Sequence, residues 1–168
     1  MSFHMHLRAV EHAEIRHDHA WLEEFMGAAW DWDVRRAERD AGIAESIEKD
    51  FGSVHELYEA AGRLPEGRDG AWELPVFGGD VVHHGPADRK PPFVRLAPEE
   101  TRRAAAFLTE ISFDTLWESA GPRLRAAFGP GWADEDVKGI YHQHHTALRG
   151  FYHRTSTAGR GVVKAFWY

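Results

Sequence analysis

Hydrophobic positions along the chain switch between a period of two and a period near 3.6, and the switches mark out its elements. Phe3 to Val10 places Phe3, Met5, Leu7 and Ala9 on one side and His4, His6 and Arg8 on the other, a strand with one core face. After Asp18, a candidate N-cap, Ala20, Trp21, Phe25, Ala28 and Ala29 form a helical stripe that Trp30-Asp31-Trp32-Asp33 interrupts. A second, charged helix is predicted from Val34 to about Lys49, although Gly42 weakens its continuity. Val54, Leu57, Tyr58 and Ala61 make a short helix closed by Gly62. Arg63 to Gly70 is a polar loop, and Leu74 to Phe77 is a short buried strand or turn ending in Gly78-Gly79. Asp80 to Pro92, with three prolines, reads as a loop long enough to be functional.

Phe93 to Leu96 is a short strand, and Pro98-Glu99-Glu100 opens a helix whose core side carries Ala104, Phe107, Leu108 and Ile111. A short helix follows from Ser112, then a further turn over Leu124 to Phe128. From Asp134, a candidate cap, a long helix carries Val137, Ile140, Tyr141, His144, Leu148, Phe151 and Tyr152 on one stripe. Thr155 to Gly161 breaks it. Val162 to Tyr168 is apolar on nearly both faces, which places it inside a sheet covered on both sides. The pattern predicts an α/β sandwich of α+β type, a small, mostly buried mixed sheet flanked by helices, as one domain over residues 1–168.

Composition narrows the function classes. The 168 residues carry a net charge of −7, and Arg35-Arg36 and Arg102-Arg103 are the only adjacent arginine pairs. That argues against a nucleic-acid or anionic-membrane surface, which needs massed positive charge. With no cysteine, disulfides and cysteine-ligated zinc are excluded. No apolar run reaches membrane-spanning length and no signal-peptide pattern is seen, so the expected location is cytoplasmic.

The order of several short segments resembles the YfbM-like family of small, uncharacterised bacterial proteins. The opening MHLRAV is similar to the family's first strand, and Ser46 to Gly62 is similar to its Lys-Ala-Trp…His…Leu-Leu-x-Gly segment through Lys49, His55, Leu57 and Gly62. Phe77-Gly78-Gly79, Arg95 to Glu100, and Phe151-Tyr152 before a turn and closing strand follow in the family's order. Phe51 stands where the family usually has Trp, and Glu59 falls in what is elsewhere a leucine run. The resemblance implies helices around a small sheet and marks Lys49, Phe51, His55, Gly78 and Gly79 as site candidates. It implies no activity.

Twelve histidines are the compositional oddity. His4 with His6 on a strand, and His142 with His145 on a helix, are each spaced to share a divalent metal, but a site needs a third ligand. Hydrogen-bonded histidines without metal are the simpler expectation, and no cofactor is required. His55 is a candidate general acid or base, expected to have a carboxylate or backbone acceptor within reach. Trp30 and Trp32 are candidates for a recognition surface, though such residues more often pack into cores. No nucleophile elbow or phosphate loop occurs. The leading expectation is a non-catalytic domain binding a protein or small molecule. The alternative is a small hydrolase or transferase using His55 or a histidine-bound metal.

Overall fold

A computed structural model of the protein describes residues 4–65, 69–85 and 89–167. Phe3 and Tyr168, assigned above to strands, lie outside the described residues. Five strands form one sheet in the order β2-β1-β5-β4-β3: β1 (His4–Val10), β2 (Ala44–Glu48), β3 (Asp80–Val82), β4 (Phe93–Leu96) and β5 (Gly161–Trp167). The helix-flanked sheet is the architecture expected. Its pairings among the described residues are all antiparallel rather than mixed.

The closing strand β5 lies at the centre, between β1 and β4, and residues 161–166 are all buried. Alternation gives it two cores. Val162 and Phe166 join Met5, Leu7, Ile47, Val94 and Leu96 in the larger core, while Val163 and Ala165 join Val10, Val82 and Phe93 in the smaller. Helices α3 (Phe51–Glu59), α4 (Pro98–Glu110), α5 (Phe113–Ala126) and α6 (Asp134–Thr157) supply the larger core through residues such as Leu57, Leu108, Leu116 and Phe151. Helix α1 (His19–Gly27) covers the other face with Leu22 and Met26. No helix among the described residues is long and apolar enough to cross a membrane.

The differences from expectation have local causes. The charged helix α2 (Trp32–Asp40) stops well before Lys49, because Gly42 adopts φ 72° and turns the chain into β2 on the sheet's edge. The loop from Asp80 contributes edge strand β3. Helix α5 runs unbroken through Pro122, where two pieces were expected. Helix α6 is capped by Ala133 rather than Asp134, and continues to Thr157. There the Thr155 and Thr157 hydroxyls donate to the carbonyls of Phe151 and His153, one turn back. Its buried stripe is Val137, Tyr141, His145, Leu148, Phe151, Tyr152 and Thr155. His145, not His144, faces the core, and Ile140 is only half-buried.

Candidate functional site

The family-like candidates gather around the turn after the Ala71–Glu73 3-10 helix. His55 on α3 lies 4.7 Å from the Phe77 ring and 5.3 Å from Trp72, centroid to centroid. Phe51 and Phe77 both pack on Phe166, at 5.5 and 5.4 Å. His55 is half-buried, and its Nδ1 is buried with no hydrogen-bond partner among the described residues. The acceptor expected beside the imidazole is therefore not found at that nitrogen. Burial lowers the His55 pKa, opposed by the charges of Glu59 and Glu73, so the ring is neutral near pH 7.

Gly78 and Gly79 are tightly packed positions of the turn. A Cβ at Gly78 would meet the Glu73 backbone at 2.8 Å. Gly79 has φ 135°, and a Cβ there would lie 2.6 Å from the Arg95 carbonyl oxygen. Lys49 is exposed at φ 58°, in the bend between β2 and α3.

A residue that pattern reading passed over holds this turn. Lys164, in the middle of β5, is fully buried, and its Nζ donates to the carbonyls of Leu74 and Gly78, each at 2.7 Å. The Tyr152 hydroxyl donates to the Pro75 carbonyl at 3.0 Å beside them. Burial pushes the Lys164 pKa down to about 7, with Glu100 pulling the other way. A buried cation clamped on two carbonyls is legible only once the turn is known to lie above β5.

The histidines disperse. His145 takes its Nδ1 to the Tyr58 hydroxyl at 3.3 Å, and burial, with Arg149 and His142, lowers its pKa to about 4. His142 packs on Phe113 instead. His4 and His6 lie with ring centroids 6.1 Å apart beneath Trp30. His84 must donate its Nε2–H to the Pro91 carbonyl (2.9 Å), which leaves Nδ1 to accept from His19 Nε2 at 2.7 Å. No three His, Asp or Glu side chains converge as a metal would require among the described residues.

The exposed chemistry lies across the sheet's other edge. Asp31 caps α2 by accepting from the amides of Asp33 (2.9 Å) and Val34 (3.1 Å), so the acids of the Trp-Asp-Trp-Asp stretch set helix direction. Contrary to the core expectation, Trp30 is 51% and Trp32 64% exposed. Trp30 closes the end of the smaller core, 5.3 Å from Trp167. Trp32 starts a stripe continued by Arg35, Arg36 and Arg39, at helical spacing along α2. The Arg35 guanidinium lies 4.9 Å over the Trp32 ring, and Arg39 donates to the Ser46 hydroxyl on β2. These residues, with Asp40 and Glu48, line a groove of about 320 Å³.

Beneath the groove, a cavity of about 10 Å³, room for about one water, shares Arg35, Arg39 and Ser46 with it and reaches His6 and Arg8. Arg8 is buried against Glu38, with its Nη1 unpartnered among the described residues. Burial, then Arg35, His4 and Arg39, drives the His6 pKa to about 4. Arginine adjacency alone showed only Arg35-Arg36. The signal for Arg39 and Trp32 was the helical spacing, and for Ser46 there was none.

Fold and site together define a single antiparallel-sheet α/β domain with an aromatic, arginine-lined surface groove and dispersed histidines. The chain belongs to the family described as a domain of unknown function (DUF1877), whose model matches residues 1–164. Comparison with curated proteins and with solved structures gives no significant match.

Proposed function

We propose that this chain is a non-catalytic binding domain, YfbM-like, bacterial and cytoplasmic, which takes an anionic small molecule or acidic protein segment in the α2–β2 groove. The observation carrying this reading is the unpaired state of its cations. Arg35, Arg36 and Arg39 make no ion pair among the described residues, whereas Arg8, Arg95, Arg125 and Arg160 each hold a carboxylate. Unpaired arginines beside an exposed tryptophan are the composition of recognition surfaces. Neither nucleic acid nor membrane is proposed as a partner, since the basic surface is one short stripe on an acidic chain. No resident metal or cofactor is part of the proposal.

Amide NMR titration with inorganic phosphate and with a glutamate-rich peptide tests it. Shift changes confined to residues 32–40 and 44–48 are expected with at least one probe, and are lost in Arg35→Ala/Arg39→Ala. Changes elsewhere only, or none, would remove the groove as a site.

One observation supports a second reading, acid–base catalysis at His55: its half-buried, neutral imidazole has a buried Nδ1 with no partner among the described residues. Turnover of nitrophenyl ester or phosphate substrates that disappears in His55→Ala would replace the first reading with this one.

A further inference from the structure

The proposed anion groove has more chemistry than an anion needs. Its cations are Arg35, Arg36 and Arg39, and its lining also includes the carboxylates of Asp40 and Glu48. Three positive groups less two negative ones leave a formal charge of only +1. The two carboxylates accept hydrogen bonds where the arginines donate them. A ligand with an anionic group and hydroxyls makes use of both sets.

Trp32 adds a flat apolar surface. Arg35 lies over the ring, yet the residue remains 64% exposed, which leaves room for a planar group to stack. The groove volume, about 320 Å³, falls at the lower end of the range for small-molecule sites, roughly 300–1,000 Å³. A planar ring for Trp32, a phosphate for the arginine forks, and a diol or amino group for Asp40 and Glu48 belong together in one kind of small molecule.

We infer that the groove binds a nucleoside monophosphate, its base stacked on Trp32, its phosphate held by Arg36 and Arg39, and its ribose hydroxyls donating to Asp40 or Glu48. The inference rests on the groove reading above and names its ligand class. Arg39 is already steered towards the groove by its bond to the Ser46 hydroxyl. The site lies on α2 and the edge strand β2, away from the His55 turn.

Isothermal titration of the full chain with AMP, GMP, CMP and UMP, and separately with adenosine, inorganic phosphate and a glutamate-rich peptide, tests this at low salt. At least one mononucleotide should bind at least tenfold more tightly than inorganic phosphate. Trp32→Ala should weaken that nucleotide about tenfold while leaving phosphate unchanged. Arg36→Ala should weaken both. Trp32 and Arg36 are exposed, so these variants should retain the wild-type circular dichroism and melting. If no mononucleotide exceeds phosphate, or if Trp32→Ala leaves nucleotide binding intact, the inference is overturned. Should phosphate or the peptide still bind with Arg36 dependence, the anion groove survives without its nucleotide. Binding of none of these probes sinks both.

Discussion

Replacing Lys164 with methionine should alter how stability depends on pH, and the size of the change follows from the lysine's surroundings. The amine is fully enclosed and faces two carbonyl oxygens at 2.7 Å, with no carboxylate hydrogen-bonded to it among the described residues. Its pKa is about 7 in the folded protein, against about 10.4 in an unfolded chain. Below pH 7 both states carry the proton, and the folded state bears the full cost of the buried charge. Between pH 7 and 10.4 the unfolded chain binds a proton that the folded one lacks, so stability rises with pH. Above that window the cost has gone.

From pH 7 to 9 this linkage is worth about 2 kcal/mol, on the order of what the two pKa values allow. Methionine removes it. It also removes two hydrogen bonds and leaves the Gly78 carbonyl without its donor, so the variant's stability at any single pH mixes opposing effects. The difference between two pH values does not mix them, because the lost packing and bonds are common to both. Urea denaturation of wild type and Lys164→Met at pH 7 and pH 9 should therefore show wild type gaining about 2 kcal/mol relative to the variant at the higher pH. An unchanged gap would mean that the carbonyls keep the ammonium charged throughout, and the burial argument would be wrong.

Two further outcomes follow from backbone and histidine environments. Gly79→Ala places a Cβ 2.6 Å from the Arg95 carbonyl oxygen and 2.7 Å from Leu96 Cδ2, at φ 135°, and should cost roughly 3 kcal/mol or more, read as a lower melting temperature. On the acid side, His6 and His145 are both held near pKa 4, so the unfolded chain takes up protons from pH 6.5 downward before the folded one does. The contribution of these two groups to stability should fall between pH 6.5 and 4 and level off below. His145→Gln should remove about 2 kcal/mol of that fall, and an unaltered acid profile would show that His145 titrates normally.

What was legible in the chain was whatever follows from local period. The alternation of β1, the two-sided apolarity of β5 and the stripes of α4 and α6 are properties of neighbouring residues, and they placed most of the sheet and its helical cover. Lys164 shows the limit. Within a strand of valines and aromatics it reads as one polar interruption, and only the arrival of the 74–78 turn, about ninety residues away in sequence, gives its ammonium a place to donate. His144 and His145 differ by one position on a helix of 24 residues, and the drift of a 3.6 period along that length decides which of them meets Tyr58.

The groove depends on the same kind of non-local event, and its hinge is a single glycine. Were α2 to continue to Lys49, as its charge pattern suggested, Arg39 and Ser46 would lie along one helix, with no second wall facing the stripe. Gly42, at φ 72°, instead reverses the chain so that β2 pairs with β1 and Ser46 returns to Arg39. Asp40 precedes that turn and Glu48 ends the strand after it, so both carboxylates reach the groove through the same reversal. A binding surface whose components lie within seventeen residues of one another, Trp32 to Glu48, is thus local in sequence and still hidden from it. The residues are all in view in the sequence; the turn that makes them face each other looks there like a weak point in a helix.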